Sequence, residues 1–494
     1  MIKKAFLTNS SGILLSRIAG LVRDLCTAKI LGASVYSDIF FAAFKLPNLF
    51  RRVFGEGAFT QSFLPNFIHS RKKGMFALVT FLIFAFFILC LSLLVVCFSG
   101  FFTKLLAYGF DDETIALAKP IVAINFWYLE LVFIVTFLSS LLQYKNCFWV
   151  NAYNTALLNL SMIAALLLAH DKDSMQVVYM LSYGVICGGV AQILLHFYPL
   201  YRLRFFKLLC IGVIELWQWV RTKEPDSKIK KRIECAKADI KMFFKQFFPA
   251  MLGSSTAQLA TFTDTLLASF LATGSISALY YANRIFQFPL AIFAIAISTA
   301  LFPLVAKAIK NNQSLQAFNA LKKSFWFLLI VLCVCVCGGI MLSEEIISLL
   351  YQWGQFSEEN TRIVAGVFSA YMLGLVPFGL SKIFSLWLYS HQMQGKAAKI
   401  SAISLLCGIV FSLILMHPFG AMGLALSGSL SGFVLFVLTI RIFGFARFLD
   451  IINHKKAWLA LVVILCVEFL ILWFLKPHIK ALVDSFHLFV RNIL

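Results

Sequence analysis

Long apolar runs separated by short charged segments fill most of this chain. The clearest run, residues 74–103, contains no charged side chain at all, and a helix needs only about 20 apolar residues to cross a bilayer. Comparable runs predict spanning helices near 10–31, 36–67, 75–102, 118–142, 148–169 and 174–200. A second set follows near 243–271, 275–306, 323–343, 361–390, 397–416, 419–443 and 457–475. The last residues, 479–494, place Ile479, Leu482, Val483, Phe486, Val490 and Ile493 on one stripe, with Lys480, Asp484, His487 and Arg491 elsewhere. That pattern predicts an amphipathic helix on the outer surface rather than a further span.

The polar segments alternate in charge. Loops after even-numbered spans are basic, as at Arg71, Lys72 and Lys73, at Arg202 to Lys245, at Lys307 to Lys323 and at His454 to Lys456. Those after odd-numbered spans are acidic or poor in cations, as at Asp111, Asp112 and Glu113 or Glu344 and Glu345. The positive-inside rule therefore predicts a multi-pass membrane protein with its N-terminus in the cytoplasm. The start MIKKAFLTNSSGILL has a basic end and an apolar run but no small-residue cleavage site, so it reads as an uncleaved first span.

Residues 201–242 form the extended polar stretch and divide the chain into a first half, 1–200, and a second, 243–445, with 446–494 as an added helix and tail. An offset of 240 aligns Asp24, Ala28, Leu31, Ser37 and Ala42 with Asp264, Ala268, Leu271, Ser277 and Ala282. Six spans per half keep the orientation, so the expected fold is an all-α polytopic membrane protein. It has two six-helix bundles related by an internal parallel repeat, plus C-terminal helices, an arrangement suited to alternating access.

Composition agrees: 61% hydrophobic, 13% charged. The net charge of +21 comes from cations placed between apolar runs without an interleaved soluble domain, which argues for topology rather than nucleic acid. The basic 201–242 segment either contacts anionic lipid head groups or only sets topology, the second being the simpler reading. Twelve cysteines lie scattered, mostly within apolar runs, and imply neither a disulfide framework nor a metal site. No Walker A, HExxH or GxSxG sequence is present, so the chain reads as a transporter rather than an enzyme, driven by a gradient or the membrane potential.

The candidate chemistry lies in charges inside the spans. From Ser16 to Phe67 the chain carries Arg17, Arg23, Lys29, Lys45, Arg51 and Arg52 against Asp24, Asp38 and Glu56. At mid-span each Arg, Lys or Asp costs roughly 2.5–3.5 kcal/mol in lipid, so these residues are expected to face protein or water. Excess cations there imply an anionic cargo, and guanidinium forks suit phosphate oxygens. Arg17 could instead snorkel to the surface, Arg23 could simply pair with an acid, and Arg52 reads equally as a topological anchor. Gly20 and Pro47 are candidate hinges, since glycine admits close helix approach and proline frees a carbonyl. In the second half Arg284 and Lys382 stand alone in apolar surroundings, which places a charged cavity between the halves. Glu130 and Glu468 read as structurally paired acids.

The runs SRIAGLVRD and SDIFFAAFKLPNLFRRVFGEGAFTQSFLP, with YYANR and FP around Arg284, resemble the MviN/MurJ family of lipid II flippases within the multidrug/oligosaccharidyl-lipid/polysaccharide exporter (MOP) superfamily. The resemblance implies export of undecaprenyl-pyrophosphate-linked glycopeptide, lipid II, for peptidoglycan synthesis. It also implies essential cavity arginines at Arg17, Arg23, Arg51 and Arg284 and a functional acid at Asp38. This chain departs from the family at Asn283 and Gln287, where acids are common in relatives. Two rival readings remain: a cation-coupled multidrug or polysaccharide exporter of the same superfamily, and a non-transporting envelope scaffold. Asp264, in ATFTDTLLASF with no cation beside it in sequence, is the expected site of a coupling cation, sodium or proton; pairing with a lysine or arginine from another span, such as Lys382, is the alternative.

Overall fold

The computed structural model describes residues 2–51, 58–221 and 227–493, and every element among them is helical. Two compact units emerge. The first comprises 1–31 and 35–266, and the second Gly32–Ser34 with Leu267–Leu494.

The first unit contains α1 (Ile2–Leu31), α2 (Val35–Phe50), α3 (Ala58–His69), α4 (Lys73–Cys97), α5 (Ser99–Leu106), α6 (Asp112–Phe126), α7 (Tyr128–Tyr144), α8 (Trp149–Leu168), α9 (Ser174–Arg202), α10 (Phe205–Arg221) and most of α11 (Ser227–Ala268). The apolar run expected at 36–67 is helical in α2 and α3, with residues 52–57 between them outside those described. The one expected at 118–142 breaks at Trp127, between α6 and α7. The stretch 201–242 is also helical: α10 fills its first part and α11 its second.

An aromatic core ties α3, α4, α7 and α11 together. Phe59 stacks on Phe63 at 5.2 Å and meets Phe133 edge-on at 5.3 Å, while Phe84 contacts Phe133 at 5.7 Å and Phe243 at 5.8 Å. Such offset and edge contacts add to the burial of large apolar area. On the other side of the unit α8 packs between α1 and α9. A Cβ at Gly184 would lie 2.7 Å from the Ala165 Cβ, and one at Gly188 2.8 Å from a Leu158 methyl, so small residues four apart allow α9 to approach α8 closely. Buried polar side chains are paired between helices: Asn125 donates to Ser182 at 2.9 Å, and Ser139 hydrogen-bonds His196 at 2.8 Å. In hydrocarbon such groups need partners, and these supply them.

The second unit contains α12 (Ser275–Pro289), a π-helical turn (Leu290–Ile295), α13 (Ala296–Lys310), α14 (Ser314–Met341), α15 (Ser343–Tyr351), α16 (Glu358–Met372), α17 (Leu375–Ser390), α18 (Gln394–Phe443), α19 (Phe445–Ile452) and α20 (Lys455–Ile493). Its core centres on Phe384, whose ring meets Phe325, Phe443 and Phe448. The backbone of α18 turns at Gly420, where φ is +54°, following Pro418, so the two spans expected at 397–416 and 419–443 meet at a kink.

Among the described residues, nine helical stretches are long and apolar enough to cross a membrane, and one of them, α18, holds two of the expected spans as its two limbs. The remaining spans expected from the sequence coincide with α1, α2–α3 and α11.

The C-terminal segment differs from expectation in one respect. Residues 479–493 do not form a separate helix; they continue α20, which is 39 residues long. Polar anchors hold this continuation to the same unit. Lys476 donates to the Met341 carbonyl at 2.8 Å and lies 3.7 Å from Glu345, and His487 meets Ser348 at 3.2 Å and the Trp353 ring at 4.2 Å. Because α14 and α20 run side by side in the same direction, from Trp326 beside Trp458 to Met341 beside Lys476, the tail extends past the end of α14 along α15.

Candidate functional site

In the first unit the charged residues of α1 separate into two environments. Arg17 is exposed. Arg23, one and a half turns further, is only 8% exposed and Asp24 is 0% exposed. The Arg23 guanidinium donates to Asp24 Oδ1 through Nε at 3.0 Å and Nη2 at 2.6 Å, and its Nη1 donates to Asn159 Oδ1 at 3.0 Å. Asn159, from α8, donates in turn to the Ser16 carbonyl at 3.2 Å, so one amide holds α8 to α1 at two levels. Gly20 is buried between them. Arg23 therefore takes the alternative weighed for it, pairing with an acid inside packed protein. A charge so placed is tolerated because the pair is hydrogen-bonded on several sides.

On α2, Asp38 lies in the first turn and is buried, Lys45 and Arg51 are half-buried, and Pro47 is buried one turn before Arg51. Arg52 lies outside the described residues. Asp264 of α11 is crowded by protein atoms yet its surface is open, and the cation that acts on it is Lys45. Lys45 of α2 thus acts electrostatically on Asp264 of α11, a lysine from another span as weighed in the alternative to a coupling-cation site. Sequence reasoning could not single out Lys45 because helices 219 positions apart carry no local signal. The available hint was that Lys45, like Asp264, is a lone charge in an apolar run.

In the second unit Arg284 is half-buried on α12, and its neighbours Asn283 and Gln287 hydrogen-bond to each other one turn apart. Neutral amides thus satisfy one another where acids would otherwise flank the arginine. The π-helical turn begins one residue after Pro289, and such widened turns relieve the lost proline hydrogen bond. Lys382 is exposed on α17, although Ser381 and Ile383 on either side are buried. The two isolated acids, Glu130 and Glu468, each have a buried Oε2 without a hydrogen-bond partner among the described residues, and Glu468 lies against Gly338 of α14. No cluster of His, Cys, Asp or Glu suited to a metal occurs among the described residues.

Helical units of this kind, bearing cations inside apolar helices, define a class of membrane transporter. An inward-facing multidrug resistance MATE family transporter of the MOP superfamily aligns with 91% of this chain and 99% of its own length at a TM-score of 0.65; at 14% identity the likeness is one of fold. The particular family follows from the sequence. The family model described as lipid II flippase MurJ matches residues 27–491. A probable lipid II flippase MurJ of Helicobacter pylori (strain J99) is 58% identical over 455 residues, covering 92% of this chain and 98% of the relative. One from Aquifex aeolicus is 32% identical over 438 residues, covering 87% and 81%. A solved structure titled lipid II flippase MurJ, inward closed conformation, has a TM-score of 0.75 at 26% identity and covers 99% of both chains. The chain belongs to the MurJ family and is a multi-pass membrane transporter, not an enzyme, as the motif around SRIAGLVRD implied.

Proposed function

We propose that this chain carries lipid II from the inner to the outer leaflet of the bacterial cytoplasmic membrane by alternating access. The pyrophosphate is bound by arginine side chains while the polyprenyl tail stays in lipid. The observation that carries this reading is Arg17, an exposed guanidinium on an apolar helix of a chain 58% identical to a relative named as a probable lipid II flippase. Arg51 in the first unit, and Arg284 and Lys382 in the second, are further cations with open surface in apolar surroundings, and each has the chemistry to bind an anion. Guanidinium binds two phosphate oxygens at once, which an ammonium cannot. Arg23 is not among them, because its donors are directed at Asp24 and Asn159; it positions α1 against α8.

The pair of Lys45 and Asp264 supplies a coupling device. An anionic cargo draws Lys45 away, and the released carboxylate takes a proton or sodium ion, so cargo and cation are exchanged at one place. Depletion of the protein should make lipid II accumulate, and Arg17→Ala, Arg51→Ala and Arg284→Ala should each fail to relieve that accumulation while inserting at normal level. Asp264→Asn should bind cargo but slow its transport. Normal lipid II turnover in cells carrying Arg17→Ala would overturn the assignment of the anion site. Unchanged transport by Asp264→Asn across a range of sodium concentrations and pH would remove the coupling role.

A further inference from the structure

The basic segment between the sixth and seventh expected spans builds a surface that the transport reading does not use. Helix α10 packs on the start of α4 through Leu208, Gly212 and Leu216. A Cβ on Gly212 would come within 2.5 Å of the Gly74 carbonyl oxygen, and Leu216 and Val79 both pack on Met75. Lys72 reaches Glu215 at 3.5 Å across the same seam. This contact fixes which sides of α10 remain open. Phe206, Cys210, Val213 and Trp217, spaced four, three and four residues apart, form one exposed stripe, with Val213 at 51% and Trp217 at 58% exposure. Ile211 and Ile214, at 53% and 55% exposure, widen the apolar surface onto the next face round, where Lys207 and Gln218 also lie.

The height of α10 along the unit is set by its neighbour. Gly74 is the second residue of α4 and the first of the charge-free run, directly after Arg71, Lys72 and Lys73. Helix α10 therefore lies where hydrocarbon gives way to head groups. Cations gather at this level: Arg202, Arg204 and Lys207 are exposed at the start of α10, as are Lys241 and Lys245 on α11. Those two flank the turn of α11 that Asp239 and Gln246 fix by bonding Ser70 and Asn66 at 2.7 Å each. Tyr198 and Tyr201, also exposed, continue the apolar face from the end of α9, and the Phe206 ring meets Phe197 at 6.0 Å. The stripe is thus continuous with the exposed aromatic end of α9, and the exposed charges around it, Arg202, Arg204, Lys207, Lys241 and Lys245, are positive.

We propose that α10 is an in-plane anchor whose Phe206–Val213–Trp217 stripe is seated among acyl chains and whose surrounding cations hold anionic phospholipid head groups of that leaflet. An aromatic and aliphatic stripe with flanking cations is the chemistry by which interfacial helices bind such a surface. The segment does more than mark topology, because topology needs only the charges and not the stripe.

Photoreactive benzoylphenylalanine placed singly at Val213 or Trp217 of the full chain tests this in nanodiscs of equimolar phosphatidylcholine and phosphatidylglycerol. Both positions should form phospholipid adducts on irradiation. Adduct masses at Val213 should favour phosphatidylglycerol at least about fivefold, the effect of one cation near an anionic surface, and Arg202→Gln with Lys207→Gln should bring that ratio toward parity. Absence of lipid adducts at Val213 and Trp217 would overturn the seating. Adducts without head-group preference, or a preference unmoved by the double substitution, would overturn the anionic recognition.

Discussion

Replacing Arg23 separates a structural arginine from a cargo-binding one. Arg23→Ala deletes the hydrogen bonds of 2.6 and 3.0 Å to Asp24 and the 3.0 Å bond to Asn159, and leaves a carboxylate that is 0% exposed inside packed helices. Removing one partner of a buried pair costs about 3–5 kcal/mol. Removing both, by Arg23→Met with Asp24→Leu, replaces the pair by apolar groups of similar volume, a change that ranges from neutral to stabilising. The double variant still strips a donor from Asn159 Oδ1, which costs about 1–3 kcal/mol, while Asn159 keeps its bond to the Ser16 carbonyl. The double variant should therefore be more stable than Arg23→Ala by about 2 kcal/mol or more. Taking about 2–4 °C per kcal/mol for a unit of this size, Arg23→Ala should melt on the order of 10 °C below the parent and the double variant should recover at least half of that loss. Thermal unfolding of the purified protein in detergent reads both. The reasoning is refuted if Arg23→Ala melts within about 2 °C of the parent while transport is lost, for the guanidinium would then act on cargo.

Two further outcomes follow from the ends of helices. Lys476→Ala leaves Glu345, 6% exposed, without its cation and frees the Met341 carbonyl; because Lys476 is itself half-exposed the loss is only about 1 kcal/mol, but residues 476–490 should gain hydrogen exchange while α14 does not. Asp111 caps α6 by accepting from the Thr114 amide at 2.9 Å, and hydrogen bonds from Thr114 hold its carboxyl below the usual value of 3.8. A lowered carboxylate stabilises the native helix start above that usual value and ceases to do so as pH falls through the lowered one, so Thr114 amide protection should persist at pH 5 and fade only in stronger acid. Equal protection in Asp111→Ala at pH 5 would contradict the cap.

Apolar periodicity made the helices legible because the bilayer imposes one demand on every span: satisfied backbone and about 20 apolar residues. The run 74–103 and the family motif at SRIAGLVRD were readable for that reason. Helix breaks were harder, since Trp127 between α6 and α7 has no proline or glycine beside it to announce a turn. The stretch 201–242 read as an extended polar segment, although its apolar residues recur at helical spacing on α10; its cations masked that stripe. The tail did not read as a continuation of α20, because its anchors, Lys476 to Glu345 and His487 to Ser348, are contacts between distant segments. The same limit applies to the site. Charge in an apolar helix identified Arg17, Arg23, Arg51, Arg284, Lys382 and Asp264 as unusual, but only the fold distinguishes the buried Arg23–Asp24 pair from the exposed Arg17 and brings Lys45 to Asp264.

The central claim is that this chain itself moves lipid II across a bilayer. Purified protein in sealed vesicles, with lipid II fluorescently labelled on its head group and a membrane-impermeant reductant added outside, measures that movement directly. Vesicles containing the protein should lose the protected inner pool of fluorescence under an imposed potential or cation gradient, and vesicles containing Arg17→Ala should retain it as protein-free vesicles do. Retention of the inner pool by vesicles with the unmodified protein under every imposed gradient, or equal loss with a labelled neutral lipid lacking the pyrophosphate, would contradict the account.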